Sequence, residues 1–208
     1  MCAAAITLAA TTFISDDHGE FPRAPKASAS RTPTDVELAG TRLPVSHTAG
    51  PRVLDSGLAR GFSHSAEGAA YAALHLSIRV TPEVGPDVYG PTLSTQVVGN
   101  DVAALRAVVD EEYSRLRENY DVPYGRPAGS VRATALGYQV DAVDEHAAAV
   151  RLLLEALDAN NDSGLVTFAI QLTWFHNDWA LVAPAHGDWS PMVGRVYSRI
   201  GYTSFADA

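Results

Sequence analysis

The chain reads as an α+β domain in which helices come first and an antiparallel meander of about four strands follows. Three observations predict this. Two helix-forming stretches lie before residue 120. From Val131 onward the apolar period falls to two. Turn residues then separate one period-two stretch from the next, a segregated order rather than an alternating one.

The first helix is expected where Ser63-His64-Ser65-Ala66-Glu67-Gly68 leads into Ala69 to Val80. Ser65 suits an N-cap, because its hydroxyl can accept from an unpaired amide of the first turn. Glu67 then complements the helix dipole. The small residues that follow predict close packing against other elements. Pro82, Gly85, Pro86, Gly90 and Pro91 are expected to break the chain. The second helix spans Val102 to about Asn119, capped by Asn100 or Asp101. Leu105, Val108, Val109, Tyr113 and Leu116 fall on one face, and the run Asp110-Glu111-Glu112 reads as a solvated side.

Val131 to Val140 alternates as a strand, and Asp144-Glu145 makes a turn. The Ala and Leu content of Ala147 to Leu157 favours a helix by propensity. Turn signals on both sides, the second being Asn160-Asn161-Asp162-Ser163-Gly164, favour a hairpin arm, and a strand is the assignment adopted. Leu165 to Phe175 is a strand with Val166, Phe168, Ile170, Leu172 and Trp174 on one face. His176-Asn177-Asp178 turns it into a returning strand, Trp179 to Ala183. The tail from Gly187 holds Trp189, Val196, Tyr197, Ile200, Tyr202 and Phe205, expected to dock on the sheet.

Three parts are expected along the chain: an apolar segment 1–14, a linker 15–42 and a globular domain 43–208. Met1 to Ile14 carries no charge, and as a helix it would be about 21 Å long against a hydrocarbon core of about 30 Å. Part of a membrane anchor, a signal peptide and a packed N-terminal helix all remain open for it. The acidic run Ser15-Asp16-Asp17-His18-Gly19-Glu20 follows directly. Basic residues mark the cytoplasmic side of a span, so the domain is expected outside the cytoplasm, held at the cell membrane by a single pass, with secretion as the alternative. Cys2 reads as a small apolar residue, since only Met1 precedes it. Phe21 to Thr34 is rich in Pro, Ala, Ser and Thr, without the periodicity of a packed element.

The chain has 208 residues, is 47% hydrophobic and carries a formal net charge of −9, so it can build a core but does not suit the coating of a phosphate backbone. Direct nucleic-acid binding is therefore not expected. A single cysteine excludes an internal disulfide and a cysteine-based zinc site. The sole lysine, Lys26, lies in the linker, and no Gly-rich phosphate loop precedes a lysine.

The segment Leu172-Thr173-Trp174-Phe175-His176-Asn177-Asp178-Trp179-Ala180-Leu181-Val182 resembles the last hairpin of the NTF2-like superfamily. The stretch Gly61 to Ala70 with its small-residue helix is similar to membrane-anchored actinobacterial proteins of conjugative and integrative elements. The resemblance covers about Gly61 to Val182. It implies a cone of N-terminal helices packed on a curved sheet, and an extracytoplasmic assembly factor of the type IV secretion kind.

The sequence holds no complete catalytic constellation. Gly61-Phe62-Ser63-His64-Ser65 is only half a nucleophile elbow, because Ser65 stands where the second Gly is needed. Asp16, Asp17, His18 and Glu20 could ligate a metal, as could the pairs His176/Asp178 and His186/Asp188 if they faced each other. Turn chemistry explains those pairs equally well. His75 and Asp141 are the candidates for acid–base work in a cone, with a core or rim role as the alternative for His75. Trp174, Trp179 and Trp189 read as core and docking residues rather than a base-stacking platform. No catalytic, cofactor-binding or metal residue is assigned, and no cofactor is expected. The expectation is a non-enzymatic, membrane-anchored scaffold with protein partners at the cell envelope, in conjugal transfer by resemblance, with self-association left open. The alternative is a small-molecule binder, isomerase or cyclase using the cone, with His75 near the pocket.

Overall fold

A computed structural model describes residues 34–157 and 162–205. Four short strands open it: β1 (Thr34–Leu38) pairs antiparallel with β2 (Thr41–Val45), and β3 (Val53–Asp55) with β4 (Leu58–Arg60). Two helices follow, α1 (Ala66–Arg79) and α2 (Pro86–Thr95), then β5 (Val97–Val98) and a third helix, α3 (Val102–Asn119). The main sheet is built from β6 (Ala133–Val143), β7 (Ala147–Leu157), β8 (Ser163–Phe175) and β9 (Asp178–Val182), with two short strands near the C-terminus, β10 (Val193–Arg195) and β11 (Thr203–Ser204). Its order is β11-β6-β7-β8-β9-β5, with β10 added on β8, making seven strands. All pairs are antiparallel except β5 with β9.

This architecture overturns the expected one. Helices do not come first, and the sheet is a seven-stranded mixed one rather than a four-stranded cone. The strands that sequence reading missed are two to five residues long, too short to display a period of two. The breaker-rich stretch after α1 also forms a helix, α2, with Pro86 at its first turn and Pro91 inside it. Pro91 leaves the Asp87 carbonyl without its helical partner, and the Gly57 backbone comes so close there that a Cβ on Gly57 would lie 2.5 Å from that oxygen.

α1 is the centre of the molecule. It packs against β6, β7, β8 and β9 on one side and against β2, β4 and α2 on the other. Gly68 to Arg79 are all buried, which is why Ala69, Ala70, Ala72 and Ala73 leave the helix with no solvated face. Ser65 caps it as expected, accepting from the Gly68 amide at 3.0 Å. α3 matches the expected span, with Leu105, Val109 and Tyr113 buried, but Val108 faces solvent. The hairpin turn of β8–β9 holds His176 and Asn177 at positive φ, the geometry of a two-residue primed turn.

β7 shows both faces of the sheet. Leu152 and Leu154 join the core against α1, whereas Leu153 is buried apart from that core. Its register partner is Thr167, whose hydroxyl bonds the Tyr202 hydroxyl at 3.1 Å. The segment from β10 to β11 therefore crosses the outer face between the two edges of the β6–β7–β8 meander. Phe205 then turns inward, edge-on to Tyr71 at 5.3 Å. Tyr197 and Ile200, expected to dock, instead stand in solvent at 89% and 91% exposure.

Candidate functional site

His75 is fully buried on α1, and its ring is engaged on both sides. The Pro44 carbonyl can only accept, so Nε2 donates to it at 2.8 Å. That leaves Nδ1 as an acceptor, and the Arg79 guanidinium donates to it at 3.1 Å. Burial first, then the neighbouring Arg79 charge, pushes the imidazole down to about 3, against the smaller opposing effect of the Pro44 bond. A neutral ring whose lone pair is already occupied cannot take a substrate proton. His75 is a structural tie between α1 and β2, and the acid–base role considered for it does not fit this geometry.

Arg79 itself was not anticipated. It is 5% exposed, burial lowers its pKa to about 10, and none of the three ion pairs among the described residues includes it. Nε has no hydrogen-bond partner, while Nη1 also donates to the His75 carbonyl at 3.3 Å. A buried cation in the last turn of a helix is favoured by the negative end of the helix dipole, which partly offsets its desolvation. The available sequence signal was its i+4 spacing from His75 in an otherwise apolar helix.

The other candidates fall apart in space. Asp141 pairs with Arg151 on the exposed sheet face, and the hydrogen bond from that guanidinium holds its carboxyl below the usual range. Asp178 accepts from the Gly61 amide at 2.7 Å, the Phe62 amide at 3.1 Å and its own neighbour's amide at 2.9 Å. It thereby ties the β8–β9 hairpin to the loop before α1. Asp188 accepts from the Ser190 amide and hydroxyl, which lowers its pKa. The His186 amide donates to Asp101 at 3.0 Å. The two His-x-Asp pairs are thus spent on turns and ties, and no group of three or more metal-ligating side chains occurs among the described residues. Ser63 and Ser65 share a hydroxyl hydrogen bond at 2.7 Å. Cys2, Asp16, Asp17, His18, Glu20 and Lys26 lie outside the described residues.

The tryptophans divide as core and docking residues. Trp179 is buried, and its indole N–H donates to the Ser63 carbonyl at 3.0 Å. The His64 ring stacks on Trp174 at 3.9 Å and holds the Glu145 carbonyl through Nε2 at 3.1 Å. Trp189 meets Phe168 edge-on at 5.2 Å. A hollow of about 410 Å³ lies on another part of the surface, lined by Val45, Ser46, His47, Pro51 and Arg52. Its arginine is already bound to the Gly61 and Thr48 carbonyls.

The segment 196–202 is the feature that sequence reading assigned least well. It is tied at its start by the Val196 amide on the Leu165 carbonyl at 3.0 Å and at its end by Tyr202 on Thr167. Inside, the Ile200 amide bonds the Ser198 hydroxyl at 3.1 Å, and the Tyr202 amide bonds the Arg199 carbonyl at 3.2 Å. Between these ties Tyr197 and Ile200 point away from the sheet, flanked by Arg195 and Arg199. The hydrophobic pattern of the tail suggested docking onto its own sheet, and only the exposure of these two side chains reveals the reverse.

Among the described residues no helix is long and apolar enough to cross a membrane. No curated protein and no solved structure matches the chain. One family model matches residues 9–204, nearly the whole length. The chain therefore belongs to the family described as a domain of unknown function, DUF8175.

Proposed function

We propose that the protein is a non-enzymatic interaction module, held at the cell envelope by its apolar N-terminal segment, that docks a protein partner through the segment 196–202. The observation that carries this reading is the exposure of Tyr197 and Ile200 on a segment hydrogen bonded at both ends. Tyrosine and arginine, both present on this exposed segment, are among the residue types enriched at the anchors of protein interfaces. The interior gives the reading further support. α1, buried from Gly68 to Arg79, packs directly on β6, β7, β8 and β9, the sheet face that a ligand of the alternative reading would use. The uncharged run Met1 to Ile14 followed by the acidic run Ser15 to Glu20 supports a membrane tether with the domain on the outer side.

The test places a photo-reactive amino acid at Tyr197 in the full chain, in the cells that make it, with Gln171 on the open sheet face as the control position. A defined adduct from position 197, absent from position 171 and lost on Ile200→Ser, is the expected result. Equal adducts from both positions, or none from 197, refute the docking segment. Recovery of the full chain in the soluble fraction refutes the tether. The 410 Å³ hollow among the described residues favours a small-molecule binder, and ligand screening with Arg52→Ala as control addresses it.

A further inference from the structure

The hollow bounded by Val45, Ser46, His47, Pro51 and Arg52 is shaped by a loop that its own bonds hold in place. Ser46 and Gly50 face each other as an antiparallel bridge, with amide–carbonyl bonds of 3.0 Å and 2.8 Å. Inside that bridge the Ser46 hydroxyl accepts from the Ala49 amide at 3.1 Å. The Ser63 amide donates to the Ala49 carbonyl at 3.0 Å, which ties the loop to the chain entering α1. Gly50 lies so close to the same stretch that a Cβ would stand 2.8 Å from the Gly61 carbonyl oxygen. Arg52 closes the loop from its far end, donating to the Gly61 carbonyl at 2.9 Å and the Thr48 carbonyl at 3.4 Å. The hollow is thus walled by bonded backbone. Its volume of about 410 Å³ falls within the ~300–1,000 Å³ of small-molecule sites.

The polar groups left over in the hollow decide what it can hold. The side chains of Val45 and Pro51 are apolar. The Ser46 hydroxyl is spent on the loop amides, on the Thr48 hydroxyl at 2.9 Å and on the Glu67 carboxylate at 3.3 Å. That leaves His47 and Arg52. The His47 ring is exposed and makes no hydrogen bond among the described residues, and Arg52 keeps the donors that its two carbonyls do not use. Neither is in an ion pair among the described residues. A guanidinium only donates, and an imidazole donates from at least one nitrogen, so the free chemistry of the hollow calls for an acceptor with negative charge. Glu67 limits that charge. One carboxylate already stands at the Ser46 wall, so a second negative charge on a ligand meets repulsion. A planar carboxylate carries a single charge and matches the fork of a guanidinium. We propose that the hollow binds a small organic monocarboxylate, its carboxylate on Arg52 and His47 and its apolar body against Val45 and Pro51. This goes beyond the docking segment and does not depend on it.

Benzoate is the probe, titrated into the nitrogen-15-labelled full chain and followed by amide and Arg52 Nε–H resonances. Saturable shifts at His47 and Arg52 are the expected result. Benzyl alcohol, which keeps the ring and loses the charge, should leave those resonances in place, and inorganic phosphate should bind more weakly than benzoate. Arg52→Lys keeps the charge but not the fork, and should weaken benzoate at least about tenfold. Because Arg52 also clamps two carbonyls, His47→Leu is the second variant. His47 is exposed and unbonded, so the thermal midpoint should stay unchanged while benzoate binds about fivefold more weakly. No saturable shift from benzoate overturns the proposal. Benzyl alcohol binding as tightly as benzoate overturns it as well, because the hollow is then an apolar dent only. Phosphate binding more tightly than benzoate overturns the choice of a monoanion, and an unchanged benzoate affinity in His47→Leu overturns the placement. None of these outcomes bears on cross-linking at Tyr197, so this test and that of the interaction segment fail separately.

Discussion

Acid should weaken this fold through one residue in particular. The His75 imidazole titrates at about 3 in the folded chain, against about 6.5 when unfolded. A group whose folded pKa is depressed stabilises the fold fully above its unfolded value, and that contribution is lost as pH falls. The window here runs from about 6.5 downward toward 3. At pH 5 the unfolded imidazole is almost wholly protonated while the folded one stays neutral, a loss of about 2 kcal/mol relative to pH 7. At pH 4 the loss reaches about 3 kcal/mol, most of the way to the limit set by the full shift. His75→Gln keeps a donor for the Pro44 carbonyl and an acceptor for Arg79 but does not titrate. Urea unfolding of wild type and variant at pH 7 and pH 5 measures the effect as a difference of differences, in which carboxylates common to both cancel. The variant starts less stable at pH 7, and its decline to pH 5 should be shallower than that of wild type by about 2 kcal/mol. Parallel declines, within about 0.5 kcal/mol of each other, would refute both the tautomer assignment and the burial argument behind it.

Three further outcomes follow from ties between distant segments. Asp178→Ala orphans the Gly61 and Phe62 amides and should cost about 2–4 kcal/mol, with Asp178→Asn costing less, as read by urea midpoints. Ser65→Ala removes the cap on the central helix and should cost about 1 kcal/mol in the same assay. Gly187 has φ +72° and stands so close to α3 that a Cβ would lie 2.6 Å from the Leu105 nitrogen. Gly187→Ala should therefore destabilise by about 1–3 kcal/mol and shift the near-ultraviolet signal of Trp189, two residues away; a midpoint within about 0.3 kcal/mol of wild type would contradict that packing.

The long elements were legible because their periods run over many residues. α3 and the β8–β9 turn fall where the residues placed them, and β7 was settled by its flanking turns against its own Ala and Leu content. Tertiary pairing on both edges overrides helix propensity there. The short strands were not legible. β1 lies inside the stretch read as linker, and its residues become strand through pairing with β2 rather than through a pattern of their own. α2 was hidden by its prolines, one placed where a helix tolerates it and the other facing Gly57. Of the candidate residues, His75 was placed correctly in the interior, but its occupied lone pair depends on Pro44, thirty-one positions away in sequence. The exposure of Tyr197 and Ile200 was equally invisible, since apolar residues in a tail look the same whether they face inward or outward.

The break between β9 and β10 has a consequence for how the molecule opens. Both strands run along the same edge of β8, but residues 183–192 leave the sheet between them and press Gly187 against the start of α3. α3 rests chiefly on this excursion, on the turn Pro82–Val84 and on α2, whereas α1 is clasped by four strands of the sheet. The two helices thus belong to different tiers of a ladder of partial openings. Amide hydrogens of α3 should exchange through detachment of a peripheral layer, and those of α1 only when the whole fold comes apart. The loop after α3, tied to that helix by the Tyr113 hydroxyl on the Arg126 carbonyl and the Gly125 amide, travels with the layer that opens first.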